Sequence, residues 1–68
     1  MADGPKYPEI EVQLTGVDSN AFSIIGTVDR ALREAGVSAV ERNVYMEESM
    51  SGDWDNVIET AMRWVEVS

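Results

Sequence analysis

Only one stretch of this sequence holds the period of a β-strand for any length. Over residues 9–15, Glu-Ile-Glu-Val-Gln-Leu-Thr, polar and apolar side chains alternate strictly. That period sends Ile10, Val12 and Leu14 to one face and Glu9, Glu11, Gln13 and Thr15 to the other. A lone strand leaves its backbone donors and acceptors unpaired and is not stable by itself. The chain must therefore supply a second strand or borrow one from another copy. Within the chain, alternation returns only at Val65-Glu66-Val67, which either ends a helix or forms a short strand.

Everything between these stretches is helical in pattern. After the turn residues Gly16-Val17-Asp18-Ser19-Asn20, apolar residues fall at Ala21, Ile24, Ile25, Val28, Ala31, Leu32 and Ala35, the spacing of one helix face. This predicts a helix over 20–35, with Asp29/Arg33 and Arg30/Glu34 at ion-pair distance along it and Gly36 as its left-handed stop. Gly26, inside the helix, implies close approach by another helix or by a ring such as Trp54 or Trp64. Ser38 and Glu41 then form the capping-box spacing for a second helix over 39–50. Its stripes are Val40 and Val44 with Glu47, and Met46 with Met50, while Glu41, Glu47 and Glu48 mark a polar side. Ser51-Gly52-Asp53 breaks the pattern. Asp53 is a natural N-cap, Asp55 suits the positive end of a helix dipole, and Trp54, Val57, Ile58, Ala61, Met62 and Val65 make the apolar face of a third helix. Glu59 and Arg63 are spaced for an ion pair on it.

The expected fold is α+β. A lead-in over residues 1–8, carrying Gly4, Pro5 and Pro8, is followed by a single domain over 9–68. Its order is strand, helix, helix, helix (β-α-α-α), and a short C-terminal strand is available to pair with the first. The helices should meet through Ile24, Ile25, Val28, Leu32, Val57, Ile58, Ala61 and Val65.

Composition narrows the chemistry. The 68 residues contain no Cys and no His, so disulfides, thiolate nucleophiles and the usual imidazole metal sites are excluded. Lys6 is the only lysine, and no nucleophile stands beside an identifiable base. We expect no enzyme, no catalytic residue, no cofactor and no metal. Thirteen acidic against five basic residues give a net charge of -8, which opposes direct nucleic-acid binding and contact with anionic membranes. No apolar run reaches membrane-spanning length, and residues 1–6 lack the apolar core of a signal peptide. A cytoplasmic location is the expectation.

The strings "YPEIEVQLTG", "NAFSIIGTV" and "RALREAGV", followed by "SGDWD" and "MRWVEV", together resemble a family of small bacteriophage, plasmid and bacterial proteins with no assigned activity. The likeness covers residues 7–67. Ser19 stands where that pattern has Gly, and Trp54 where it has Tyr. The resemblance implies a bacterial cytoplasmic or phage-encoded origin, and transfers no site residue.

Asp18-Ser19-Asn20 has the residue types of a hard-cation loop, but lacks the further acids, Gly and distant Glu of a calcium loop. Cap and turn is the favoured reading. For binding, the candidate residues are Glu41, Tyr45, Glu47, Glu48, Trp54 and Asp55: acids with an aromatic anchor and an adaptable neighbourhood of Tyr45, Met46 and Met50. The functional expectation is a non-catalytic protein-interaction module, a phage- or mobile-element-type accessory protein that binds a protein partner and acts as a homodimer. The alternative is an acidic mimic of nucleic acid that occupies the site of a defence or transcription protein.

Overall fold

The computed structural model describes residues 4–14, 16 and 20–68. Strand β1 (Tyr7–Val12) is followed by helices α1 (Ala21–Glu34), α2 (Ala39–Ser49) and α3 (Trp54–Trp64), and then by strand β2 (Val65–Val67). The α+β order is as expected, and the lone strand finds its partner within the chain. β1 and β2 pair in parallel, a geometry that requires a crossover connection; here all three helices form it.

β1 begins two residues earlier than the alternation suggests, because Tyr7 already pairs with Val65. Even Lys6 is tied in, its backbone N–H donating to the Arg63 carbonyl at 2.8 Å. Between Tyr7 and Glu11 the register shifts. Pro8 lies in that interval and has no N–H to give a ladder. Regular pairing resumes at Glu11 with Glu66 and Val12 with Val67. It extends past both strands through Ser68 N–H to the Val12 carbonyl (2.9 Å) and Leu14 N–H to the Ser68 carbonyl (3.1 Å). Ile10 and Val12 are buried and Leu14 packs against the core, while Glu9, Glu11 and Gln13 are exposed. Thr15 lies outside the described residues.

α1 starts where Asn20 caps it, its side-chain Oδ1 accepting from Phe22 N–H at 2.8 Å. A cap of this kind contributes about 0.5–2 kcal/mol. Asp18 and Ser19 lie outside the described residues. Ile24, Ile25, Val28 and Leu32 form the buried stripe. Gly36 ends the helix at φ +90°. Its N–H reaches the Arg33 carbonyl and Val37 N–H reaches Leu32, so both bonds of a Schellman motif are made. Val37 then packs against the core that Leu32 enters.

Gly26 departs from its expected role. It is exposed, and a Cβ built there meets nothing within 4 Å. The close approach by a helix or ring does not occur, because Trp64 is turned toward β1 and Trp54 toward the start of α1. Gly26→Ala should therefore stabilise the fold by about 0.4–1 kcal/mol, through reduced freedom of the unfolded chain and better helix propensity. Urea midpoints of the two proteins give the answer, and a lower midpoint for the alanine variant would contradict it.

α2 sits rotated from the expected stripe. Val40 is 73% exposed and Val44 42%, whereas Tyr45 and Ser49 are fully buried. The helix is only weakly amphipathic, so its orientation follows its tethers. Arg42 reaches Asp29 on α1 at 3.4 Å. Glu41 reaches back to the start of β1. Asp29 therefore pairs between helices rather than with Arg33, while Arg30 and Glu34 do pair along α1 at 3.4 Å.

α3 is turned similarly. Val57, Thr60, Ala61 and Trp64 are buried and Ile58 packs against the core, but Trp54 and Met62 are about half exposed. Asp53 caps the helix by accepting from Asn56 N–H at 3.1 Å. Asn56 in turn donates to the Glu48 carbonyl at 2.7 Å and the Ser49 carbonyl at 3.2 Å. Together with Ser51, whose N–H (3.3 Å) and hydroxyl (2.8 Å) also donate to the Glu48 carbonyl, this closes the end of α2. The clamp needs Gly52, since a Cβ there would lie 2.9 Å from Asn56 Cβ. Arg63 donates to Thr60 Oγ1 at 3.3 Å rather than pairing with Glu59. The radius of gyration is 10.9 Å, close to the roughly 11 Å of a compact chain of this length.

Candidate functional site

Two surface features stand out, and each joins residues that are distant in sequence. The first is an aromatic and carboxylate cluster around Trp64. The Trp64 indole is buried at the end of α3. Its Nε1–H donates to Glu48 Oε1 at 2.9 Å. Tyr45 meets it edge-on with centroids 5.7 Å apart, and Tyr7 lies tilted at 6.0 Å. Lys6 Nζ covers the outer face of the indole at 4.6 Å from the ring centroid, a cation–π distance. The same ammonium pairs with Glu41 Oε1 at 2.6 Å, and Tyr7 Oη–H donates to that oxygen at 3.1 Å. Glu41 thus leaves the capping box half made. Ser38 Oγ accepts from Glu41 N–H at 3.3 Å, but the Glu41 carboxylate is engaged by Lys6 and Tyr7.

These contacts shift three ionisations. The Lys6 ammonium and the Tyr7 hydroxyl hold the Glu41 carboxyl below its ordinary value. The Glu41 carboxylate raises Lys6. Desolvation, followed by the bond to Glu41, raises Tyr7. A depressed carboxylate contributes stability that is present above its unfolded pKa and is lost as pH falls through the folded value. A raised ammonium contributes stability that is complete below its unfolded pKa and is lost as pH rises through the folded value. The pair should therefore weaken at both acidic and strongly alkaline pH. Carbon-detected NMR titration should find Glu41 titrating below the ordinary value of a glutamate carboxyl. Glu41→Gln should remove the matching part of the acid limb of stability. A Glu41 that titrates at the ordinary glutamate value would show that the pair does not persist in solution. The exposed geometry keeps the effect small.

The second feature is a groove of about 330 Å³ where the first turn of α1 faces the α2–α3 junction. Ala21, Phe22 and Ile25 form one wall, and Ser49, Met50, Gly52, Asp53, Trp54 and Val57 the other. Its rim holds exposed apolar side chains: Phe22 is 70% exposed, Met50 53% and Trp54 47%. Phe22 is outside the α1 stripe because the residues that face the core are 21, 24, 25 and 28. Met50 is outside the α2 stripe because Tyr45 and Ser49 take the buried face. At the groove's inner side the Ser49 hydroxyl is buried with no hydrogen-bond partner, as is the Tyr45 hydroxyl one turn earlier. Burial pushes the Tyr45 phenol up, the nearby Ser49 hydroxyl acts against that shift, and the Asp29 charge adds to it. Ser49 lies close enough to influence the phenol, but the two hydroxyls do not meet hydrogen-bond geometry.

The candidate binding residues are accordingly divided. Trp54 lines the groove, and Asp55 follows it on the exposed start of α3. Glu47 is exposed on the last turn of α2. Glu48 is exposed but holds the Trp64 indole, and Glu41 is half-buried and paired with Lys6. Tyr45 is fully buried, so it has no surface to offer a partner; it is a core residue because α2 turns its 45/49 edge inward. Phe22 was missing from the expected set, and Met50 stood there only as part of an adaptable neighbourhood with Tyr45 and Met46. The signature of Phe22 and Met50 in the sequence is a large apolar side chain out of phase with the buried stripe of its own helix.

Among the described residues no group of three or more acidic side chains is placed to hold a metal ion, and no helix is long and apolar enough to cross a membrane. Comparison with family models, with curated proteins and with solved structures gave no match.

Proposed function

We propose that this chain is a small acidic, non-catalytic protein-interaction module that holds a partner protein in the Phe22–Met50–Trp54 groove. One observation carries the reading. Among the described residues six large apolar side chains are exposed, and three of them converge on a single concave site. Scattered surface hydrophobics are ordinary, whereas clustered ones rimmed by polar groups mark interaction surfaces. Trp and other large side chains seated in such pockets commonly dominate interface energetics. The resemblance to small phage and bacterial proteins supports an accessory role in the bacterial cytoplasm, or in the host cytoplasm if phage-encoded.

The net charge of -8 favours one competing reading, an acidic mimic of nucleic acid. The two differ in what holds the complex. An apolar anchor survives screening, while a charge mimic depends on fields that fade over about 3 Å in 1 M salt. The test is crosslinked capture of a discrete bacterial protein by the wild type, by Phe22→Ser and by Trp54→Ala. Circular dichroism must first show both variants folded. The groove reading expects capture that persists in 1 M salt and is lost in both variants. Capture that ignores both substitutions and vanishes in 1 M salt would replace it with the mimic.

A further inference from the structure

We infer that the occupant of the groove is a basic segment of the partner, with one large apolar anchor set among Lys or Arg residues. This rests on the groove being the partner site. The volume fixes the size of the anchor: about 330 Å³ is at the small end for ligand pockets, enough for a large side chain and not for a folded surface. The walls fix the mode of contact. They come from α1 and the α2–α3 junction, with no sheet edge, so the occupant binds through side chains rather than by adding a strand.

Charge fixes the remainder. Residues 47–57 carry Glu47, Glu48, Asp53 and Asp55 and no Lys or Arg, and residues 20–25 carry no charge. Of the chain's five cations, Arg33 lies in the last turn of α1, at the opposite end of that helix from the groove, and the other four are engaged elsewhere. Lys6 pairs with Glu41, Arg30 with Glu34 and Arg42 with Asp29, and Arg63 donates to Thr60. Glu47 and Asp55 make no ion pair among the described residues. The groove is therefore an apolar slot with the Asp53 carboxylate in its lining and with Asp55 and Glu47, neither ion-paired among the described residues, one and three residues along the chain from the lining residues Trp54 and Met50. A second copy would bring a like-charged border against this one, which opposes a homodimer through this face. A basic partner is attracted by it, gaining association rate and selectivity.

The test uses defined probes on the whole ¹⁵N-labelled protein at 0.15 M salt. The first peptide combines Lys and Ala around one central Trp. The second replaces each Lys with Glu, and the third replaces the Trp with Ser. The first should shift the amides of Phe22, Met50, Trp54 and Val57 and bind at least tenfold tighter than either of the others. Phe22→Ser, at an exposed position, should remove that preference for the Trp peptide. Asp55→Asn with Glu47→Gln should narrow the gap between the Lys and Glu peptides. Equal binding of the Lys and Glu peptides at these amides would overturn the basic occupant while leaving a protein-binding groove. Equal binding of the Trp and Ser peptides would overturn both, and favour the mimic. Shifts at these amides on raising protein concentration alone would give the groove to a second copy and overturn the inference, as would the absence of any shift there with all three peptides.

Discussion

Trp64→Ala is expected to cost about 3–5 kcal/mol. The expected stability of a chain of this length is roughly 3–10 kcal/mol, so the loss is a large share of the total and unfolds the protein at 25 °C if the wild type lies near the low end. The effect is large because both ends of the fold meet on the indole. Tyr7 from β1, Tyr45 from α2 and the Lys6 ammonium all contact it, and Glu48 receives its N–H. Removing it opens a large cavity and strands the Glu48 bond at once. Trp64→Phe separates these losses, since it keeps a ring for Tyr45 but has no donor. It should fall between wild type and Trp64→Ala. Urea unfolding followed by circular dichroism measures all three. An alanine variant within 1 kcal/mol of wild type, judged by an unchanged m-value and a midpoint shift to match, would mean the cluster is not formed in solution.

Ile25→Ala should cost about 2–5 kcal/mol, and Leu32→Ala should cost more within the same range. Both side chains belong to the α1 stripe. Their settings differ. Leu32 is fully enclosed, whereas Ile25 also forms part of the groove wall. Space vacated at Ile25 opens toward solvent and can be relaxed or wetted, while space vacated at Leu32 stays an enclosed void. The order of the two effects is therefore as informative as their size. A larger loss at Ile25 would place the groove in the sealed interior. Ile25→Ala should also weaken binding of an apolar anchor, because it deepens the slot without supplying new contact.

What could be read before the structure follows from which forces act locally. The α1 boundaries were legible because cap, stripe and Gly36 stop agree, and each acts within a few residues. The core positions Ile24, Ile25, Val28 and Leu32 followed from that agreement. β2 was legible only as an option, since three residues carry too little pattern to separate a strand from a helix end. The rotation of α2 was not legible. Val40 and Val44 are as apolar as a core stripe requires, yet the helix is held by Arg42 to Asp29 and by Glu41 to Lys6 and Tyr7, contacts that span 13, 35 and 34 positions. The groove was half legible. Trp54 and Met50 stood out by residue type, but joining them with Phe22 required knowing which face of each helix is turned inward.

The pairing of β1 with β2 also sets a schedule for the chain during synthesis. Val12 hydrogen-bonds into a ladder with Val67, 55 positions later. At roughly 5–20 residues per second on the ribosome, the first strand must wait about 3–11 s before its partner exists. Throughout that interval Ile10 and Val12 are exposed on a strand with no neighbour, while α1 can already close on its own Schellman stop. Glu9 and Glu11, on the opposite face, keep such an open edge charged. Their value to the protein is thus greatest before it is folded, when a nascent chain is most at risk of pairing with the wrong strand.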